Sequence, residues 1–596
     1  MMVLPSEKQF IIKKEILYCL ISGIIGLIAA YFFLGLGEAD LRVPFVYTGD
    51  AFTGLTVAQN FITGNGRFIF PNIGAPGIVT TANFPDAHHI DYFGMWIFSL
   101  FIKEAGLLVN IFYLSTYFSI SFFAALSLRL LYISPPASII GGVLYALLPF
   151  HFYRGVSHLM LSTYAVVPLA CVVIIWIIDG KLQLYKPDFA KRKGLKNRLR
   201  SIDKKFLFAA GVALYLGLSN IYFVYFACLG IVFAAFWNLL EDKKIKNLIV
   251  PIILLAITSI TVVISLIPNI LFILNGGESF LTGTRNLTDI ELYALRITEM
   301  ILPVRAHRIP LFAAIRNFYE TRVSFFAPGF TESAFSSLGL FISLGFVLSF
   351  IFAMVRNSKI VIENNIFKHS AVLNTFMILL ASMGGFSSII GIFAPSVRCY
   401  NRISIFIAFY SLFIVLFLFD KFTARFVKTK YLQIIIIVII GVLASFDMVS
   451  VNVKVKPTYN EIFYTRQEFI SKVEEVTPAG SMVFQLPFIP STQHTPFVNI
   501  AVYEHFTPFV HSKSLKWSYR AQIGSDIEVW QATVSQMSID YMLENLIAAG
   551  FAGVYIDSFG YAEDEHEPVI HDIRMITGTD PIVSRDGRYY YFIINN

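Results

Sequence analysis

Runs of roughly twenty apolar residues recur along this chain, and a run of that length is what an α-helix needs to cross the hydrocarbon core of a bilayer. They fall at 14–36, 108–131, 135–150, 159–179, 206–220, 221–240, 248–274, 337–355, 369–392, 402–420 and 431–449, the third and fifth being short. Across 596 residues, 56% are hydrophobic and only 14% charged, more apolar surface than a soluble core can hide. The expected class is therefore a polytopic α-helical membrane protein with about eleven transmembrane helices.

Basic residues orient such a chain, because loops rich in Lys and Arg stay on the cytoplasmic side. With the N-terminus inside, odd spans exit and even spans return, which places 180–205, 241–247, 356–368 and 421–430 in the cytoplasm. The segment 181–205 alone carries ten Lys or Arg. The apolar run at 16–36 lacks a convincing small-residue cleavage site and reads as an uncleaved anchor. The stretch 89–101 is too short to span, precedes Lys103 and Glu104, and reads as a helix lying along the outer interface.

Three sizeable pieces then lie outside the cytoplasm: a loop at 37–107, a second at 276–336, and everything from 450 to 596. The membrane domain is thus 1–449. The last piece alternates short strands, at 482–486 and 553–556, with amphipathic helical stretches near 459–475 and 538–549, which predicts a C-terminal extracytoplasmic α/β domain. No GxGxxG, Walker, HExxH or CxxC pattern occurs, and the four cysteines are scattered, so neither nucleotide-loop chemistry nor a thiolate metal site has motif support. The net charge of +7 follows from topology rather than from a nucleic-acid partner, and none is expected.

Polar residues gather at the outer boundary. The first loop carries Glu38, Asp40, Asp50, Asp86 and Asp91, with His88 and His89 beside the last two. Asp50 stands just before the amphipathic stretch 55–61, where a carboxylate serves either chemistry or helix capping. Arg154 and His158, four residues apart in the turn after the third span, share a helical face that suits an anionic head group. Glu291, Arg296, Arg305, His307 and Arg308 fall in the second loop, and Arg398, Asn401 and Arg402 stand at the mouth of the tenth span. A guanidinium offers five donors in a planar fork, so two arginines with an Asn at a membrane boundary suit a lipid phosphate. In the C-terminal piece, Trp517, Tyr519 and Trp530 are candidates to stack on sugar rings, and Asp557 with Tyr561 is a secondary catalytic candidate.

One anchor helix, a long acidic outer loop with an interfacial helix, many spans and an outer C-terminal domain together resemble the GT-C superfamily of membrane glycosyltransferases. More locally, Gly49-Asp50-Ala51, Asn72-Ile73-Gly74-Ala75-Pro76, Asn83-Phe84-Pro85-Asp86, Leu148-Pro149-Phe150-His151-Phe152-Tyr153-Arg154-Gly155, Asn401-Arg402-Ile403-Ser404 and Gln485-Leu486-Pro487-Phe488 resemble a bacterial membrane-protein family described as glycosyltransferase-like. The resemblance implies a GT-C-like fold in a bacterial plasma membrane and a sugar donor linked to polyprenyl phosphate. It implies a glycan, lipid or protein acceptor, and Asp50 as the base that takes the acceptor proton. The chain departs from many such enzymes in having Arg154 and His158, not an acidic pair, after the third span.

Expected substrate-binding residues are Asp40, Asp86, Asp91, Arg154, His158, Glu291, His307, Arg398, Asn401 and Arg402. No cofactor is required by a motif, although Asp50, Asp86, Glu291 and His307 are of the right types for a divalent ion such as Mg or Mn. Two other classes stay open on sequence: a lipid-linked glycan flippase or transporter, which would need charges within the spans, and a noncatalytic envelope-assembly scaffold.

Overall fold

A computed structural model describes residues 12–186, 201–277, 288–323, 332–355, 364–491 and 495–594. Most of the basic segment 181–205 and residues 356–363 of another expected cytoplasmic loop lie outside them. Among the described residues, eight helices are long and apolar enough to cross a membrane: Lys14–Leu34, Ala105–Leu130, Pro135–Arg154, Leu159–Ile178, Ile221–Asp242, Ile245–Ser265, Tyr400–Phe426 and Lys430–Met448. Lys204–Gly217, Gly339–Met354 and Asn365–Ala381 occupy the other three expected places but are 14, 16 and 17 residues long. The chain is a multi-pass helical membrane protein.

Helices in lipid gain little from hydrophobic attraction to one another, so their contacts need small residues and shared hydrogen bonds. The helix Ile12–Leu34 packs on Ala105–Leu130 and Pro135–Ala146, and a Cβ on Gly142 would run into Ser22 and the Ser121 carbonyl. Asn374 donates to the hydroxyls of Ser349 and Ser411 at 3.1 and 2.9 Å, tying three helices together inside the bundle.

Contacts between loops sort to two ends. At one end Arg129 binds Glu15 at 2.6 and 2.9 Å, Ser134 binds Asp420, and Lys368 binds Glu241 at 2.6 Å. At the other end Asn220 meets His88 at 3.0 Å, Asn269 donates to the carbonyls of Ala82 and Phe84, and His307 meets Asp447 at 3.2 Å. The helix His89–Ser99 leaves Phe93 and Trp96 exposed, with Phe101 just beyond it.

The second end carries the C-terminal domain. Its strands β3 (Met482–Leu486), β4 (Lys516–Trp517), β5 (Phe551–Asp557), β6 (Ile582–Val583) and β7 (Tyr589–Ile593) follow a hairpin of β1 (Ile69–Phe70) and β2 (Val79–Thr80) in the first loop. The sheet order is β4-β3-β5-β7-β6, with β3 parallel to both neighbours and β7 antiparallel to β5 and β6. Helices Asn460–Val476, Asp526–Val534, Ile539–Ala548 and His566–Thr577 complete an α/β unit. Trp517 and Tyr519 are buried in its core, and Trp530 stacks on Phe551, so these rings are engaged in packing. Asp557 is clamped by Arg588 through two bonds of 2.7 Å under the sheet end.

The first loop is fastened to this domain through its backbone. Trp517 N–H donates to the Asn72 carbonyl at 2.9 Å and Ala75 N–H to the Trp517 carbonyl at 3.1 Å, which extends the β4 edge with residues 72–75. Gly74 makes the turn that follows possible: its φ is +76°, and a Cβ there would lie 2.6 Å from Val79 Cγ2. Gln531 Nε2 then donates to the Ala75 carbonyl at 2.7 Å, and Tyr47 Oη lies 2.7 Å from His511 Nε2.

Burial pushes both His505 and His511 down to about 3, with Arg588 and Arg466 respectively adding to the shift. The unfolded chain therefore binds protons that the folded domain refuses. Stability should fall as pH drops from about 6.5 toward 3, with a limiting slope of about 1.4 kcal/mol per pH unit for each histidine. Denaturant unfolding across that range should show a shallower slope in His511→Gln, and an unchanged slope would count against this account.

Candidate active site

Asp50 owes its position to Gly49, whose φ of +56° turns the chain into the helix Ala51–Ile62. The Asp50 carbonyl accepts from Thr53 N at 3.1 Å and Thr53 Oγ1 at 2.7 Å, but its side chain makes no cap hydrogen bond. The carboxylate is not spent on the helix. Its Oδ2 lies 3.3 Å from His158 Nε2, and its side chain is 48% exposed.

Both residues line a cavity of about 450 Å³ between the first loop and the C-terminal domain. The first loop contributes Thr80, Asn83 and Asp86, the turn after Arg154 contributes Ser157 and His158, and the domain contributes Tyr503, Arg520 and Gln522. Burial and then Arg154 hold the His158 imidazole below its ordinary value, outweighing the pull of Asp50. Asp50 thus faces a neutral ring near neutral pH.

A second polar group stands on the same wall. Arg67 donates to the Asp86 carbonyl at 2.6 Å, lies 3.3 Å from its carboxylate and stacks over Tyr92, whose hydroxyl donates to Asp86 at 2.9 Å. Burial raises the Asp86 carboxyl, yet His88 and Arg67 together hold it below its usual range. Asp91 sits behind, 3.3 Å from His88 Nδ1, and burial pushes its carboxyl up. The Asn220 amide oxygen accepts from Tyr222 N, and its amide nitrogen lies 3.0 Å from His88 Nε2, which fixes the ring beside Asp91.

Two arginines, Arg154 and Arg402, act on His158, the partner of Asp50. Fully buried Arg154 pairs with Glu332 at 2.5 Å, and Arg402 reaches the same carboxylate at 3.5 Å while lying 4.3 Å over Tyr222. Burial works against Glu332, but Arg402 and Arg154 hold its carboxyl far below the ordinary value. Arg154 Nε and Nη1 and Arg402 Nε have no hydrogen-bond partner among the described residues. Arg398 pairs with Asp289 at 2.7 Å, and buried Asn401 is fixed by its N–H to the Tyr293 carbonyl.

The structure therefore brings Asp50, His158, Arg154 and Arg402 into one neighbourhood, with Asp86 across the cavity. Other expected residues stand apart. Asp40 accepts from Tyr464 and Arg42 N, Glu291 accepts from Gly384 N and Ser388, and His307 lies between Asp447 and Ile309 N. Because Asp50, Asp86, Glu291 and His307 have these separate partners, they do not form one ligand set, and no cluster of three His, Cys, Asp or Glu groups suited to a metal occurs among the described residues. Sequence reasoning missed Glu332, the carboxylate that buried Arg154 requires, Asp289, the partner of half-buried Arg398, and Arg67, Tyr503, Arg520 and Gln522. Charge balance alone signals the first two.

Glu332→Gln should destabilise the protein by about 3–5 kcal/mol, since it strands buried Arg154 without a counter-charge. Adding Arg154→Met should restore much of the loss in a double-mutant cycle read by thermal unfolding. Additive losses would mean that the two side chains do not act as a pair.

No family model matches the sequence, and no curated protein matches it. Solved structures similar in outline include the Archaeoglobus fulgidus oligosaccharyltransferase AglB in complex with an inhibitory peptide and a dolichol-phosphate, at 12% identity over 98% of this chain and 75% of that one, with a TM-score of 0.42. The apo form of the A. fulgidus oligosaccharyltransferase is 13% identical over 90% of this chain and 69% of that one, with a TM-score of 0.41. ArnT from Cupriavidus metallidurans bound to undecaprenyl phosphate is 11% identical over 96% and 97% of the respective chains, with a TM-score of 0.40. At these identities and TM-scores no residue of this chain is matched to one of theirs.

Proposed function

We propose that this protein transfers a sugar from a polyprenyl-phosphate donor to an acceptor hydroxyl on the extracytoplasmic face of a bacterial plasma membrane, with Asp50 as general base. The carrying observation is the Asp50 carboxylate, free of capping duty, half exposed in a cavity and set beside an arginine cluster at a membrane boundary. The orientation, with the N-terminus cytoplasmic and the cavity outside, rests on the basic loops.

In this reading the donor arrives laterally from the bilayer, and Arg398 and Arg402 receive its phosphate. Arg154 lies behind and holds Glu332 beside them. The acceptor oxygen attacks the anomeric carbon as the bond from that carbon to the phosphate oxygen breaks. The hydroxyl proton passes to Asp50, and the electron pair leaves on polyprenyl phosphate, where guanidinium charge stabilises it. One displacement of this kind inverts the anomeric centre. A neutral His158 with its proton on Nε2 donates to Asp50 Oδ2 and orients the carboxylate without neutralising it. The acceptor, a glycan, lipid or protein, enters from the side of the C-terminal domain.

Sugar transfer from a panel of radiolabelled polyprenyl-phosphate monosaccharides, assayed with the purified protein in lipid, tests the assignment. Asp50→Asn should lower the rate by about 10²–10⁴, the usual worth of general-base help, with an unchanged thermal midpoint. Transfer at the wild-type rate by the folded variant would end the assignment.

A further inference from the structure

Among the described residues that line the cavity, one arginine has no carboxylate to balance it. Arg67 is compensated by Asp86 at 3.3 Å, and Asp50 meets His158. Arg520 also lines the cavity; its guanidinium carbon lies 4.9 Å from the ring of Tyr503, and it acts electrostatically on Tyr519, but no carboxylate among the described residues pairs with it. Stacking of that kind uses the face of the guanidinium and leaves its in-plane N–H donors available.

The backbone around it is held in an unfavourable form. Seven non-glycine residues among those described have positive φ, and two of them, Tyr503 at +62° and Arg520 at +61°, are the stacked pair on this wall. Residues kept in the left-handed region cost free energy and concentrate where a side chain must be aimed. Beside them Gln522 Oε1 accepts from Thr80 N at 3.0 Å, which fixes the amide, and its Nε2 is a buried donor without a hydrogen-bond partner among the described residues. A guanidinium and an amide N–H₂ on one cavity wall form a receptor for an oxyanion.

We propose that Arg520, with Gln522, binds a carboxylate or phosphate carried by the acceptor, so that the acceptor is an anionic molecule anchored on the C-terminal domain with its hydroxyl toward Asp50. The word acceptor rests on the glycosyl-transfer reading; the oxyanion site itself does not. Arg398 and Arg402, assigned to the donor phosphate, lie outside the cavity lining, whereas Arg520 lies within it.

The test uses full-length protein in lipid nanodiscs, with methyl glucuronide and glucose 6-phosphate as charged probes, methyl glucoside as neutral control, and undecaprenyl phosphate as donor-side probe. Ligand-observed NMR should show the charged sugars binding about 10- to 100-fold more tightly than the neutral one, the usual worth of a charge-assisted hydrogen bond. Arg520→Gln should abolish that preference and Arg520→Lys keep part of it. Gln522→Ala should weaken it, while Arg402→Gln and Asp50→Asn leave it intact. Undecaprenyl phosphate binding should be unchanged in Arg520→Gln, and thermal midpoints establish that the variants fold. Equal binding of charged and neutral sugars, a preference that survives Arg520→Gln, or loss of undecaprenyl phosphate binding in that variant would each overturn the proposal. Wild-type transfer by Asp50→Asn would instead sink the catalytic reading and leave this binding result standing.

Discussion

Two backbone hydrogen bonds between residues 72–75 and Trp517 hold the candidate site together, because they fasten the loop that carries Asp50 to the domain that carries Arg520. Backbone pairing suits this duty. It fixes register along a strand edge with little dependence on side-chain rotamers, and here it is buried over Trp517, the largest fully buried side chain of the domain. Around it the Gln531 bond to the Ala75 carbonyl and the Tyr47–His511 contact fix the remaining degrees of freedom. The cavity is thus a property of the docked pair rather than of either partner.

The electrostatics follow from where water can reach. Arg154 is wholly buried between the rings of Phe150 and Phe335, where an unpaired guanidinium would be prohibitive, and Glu332 is the group that makes it tolerable. Sharing that carboxylate with Arg402 leaves the trio with a net positive charge and unfilled N–H donors.

Features with a local pattern were legible in the sequence, and those made by distant pairing were not. The apolar runs gave the places of the long helices, the short apolar stretch 89–101 holds the helix His89–Ser99, and strand-like segments at 482–486 and 553–556 lie in β3 and β5. Asp50 was singled out because a polar residue before an amphipathic helix has two uses, and the choice between them needed coordinates. Glu332 lies 178 residues from Arg154, a separation at which no periodicity operates. The aromatic residues of the domain show the opposite problem. Trp517 is equally suited by composition to a sugar platform or a core, and only its complete burial distinguishes them.

Arg154 acts on the candidate base in a way that its contact with Glu332 does not reveal. An imidazolium 3.3 Å from Asp50 would stabilise the carboxylate as an ion and lower its appetite for a proton. Burial of His158 and the field of Arg154 together oppose that charge, and they prevail over Asp50 and Glu332, which favour it. The turn that follows the third span therefore delivers a cation to the arginine cluster and, through the same residue, keeps its own histidine uncharged. Asp50 is left with a directional N–H donor beside it rather than a counter-ion, which orients the carboxylate without neutralising it.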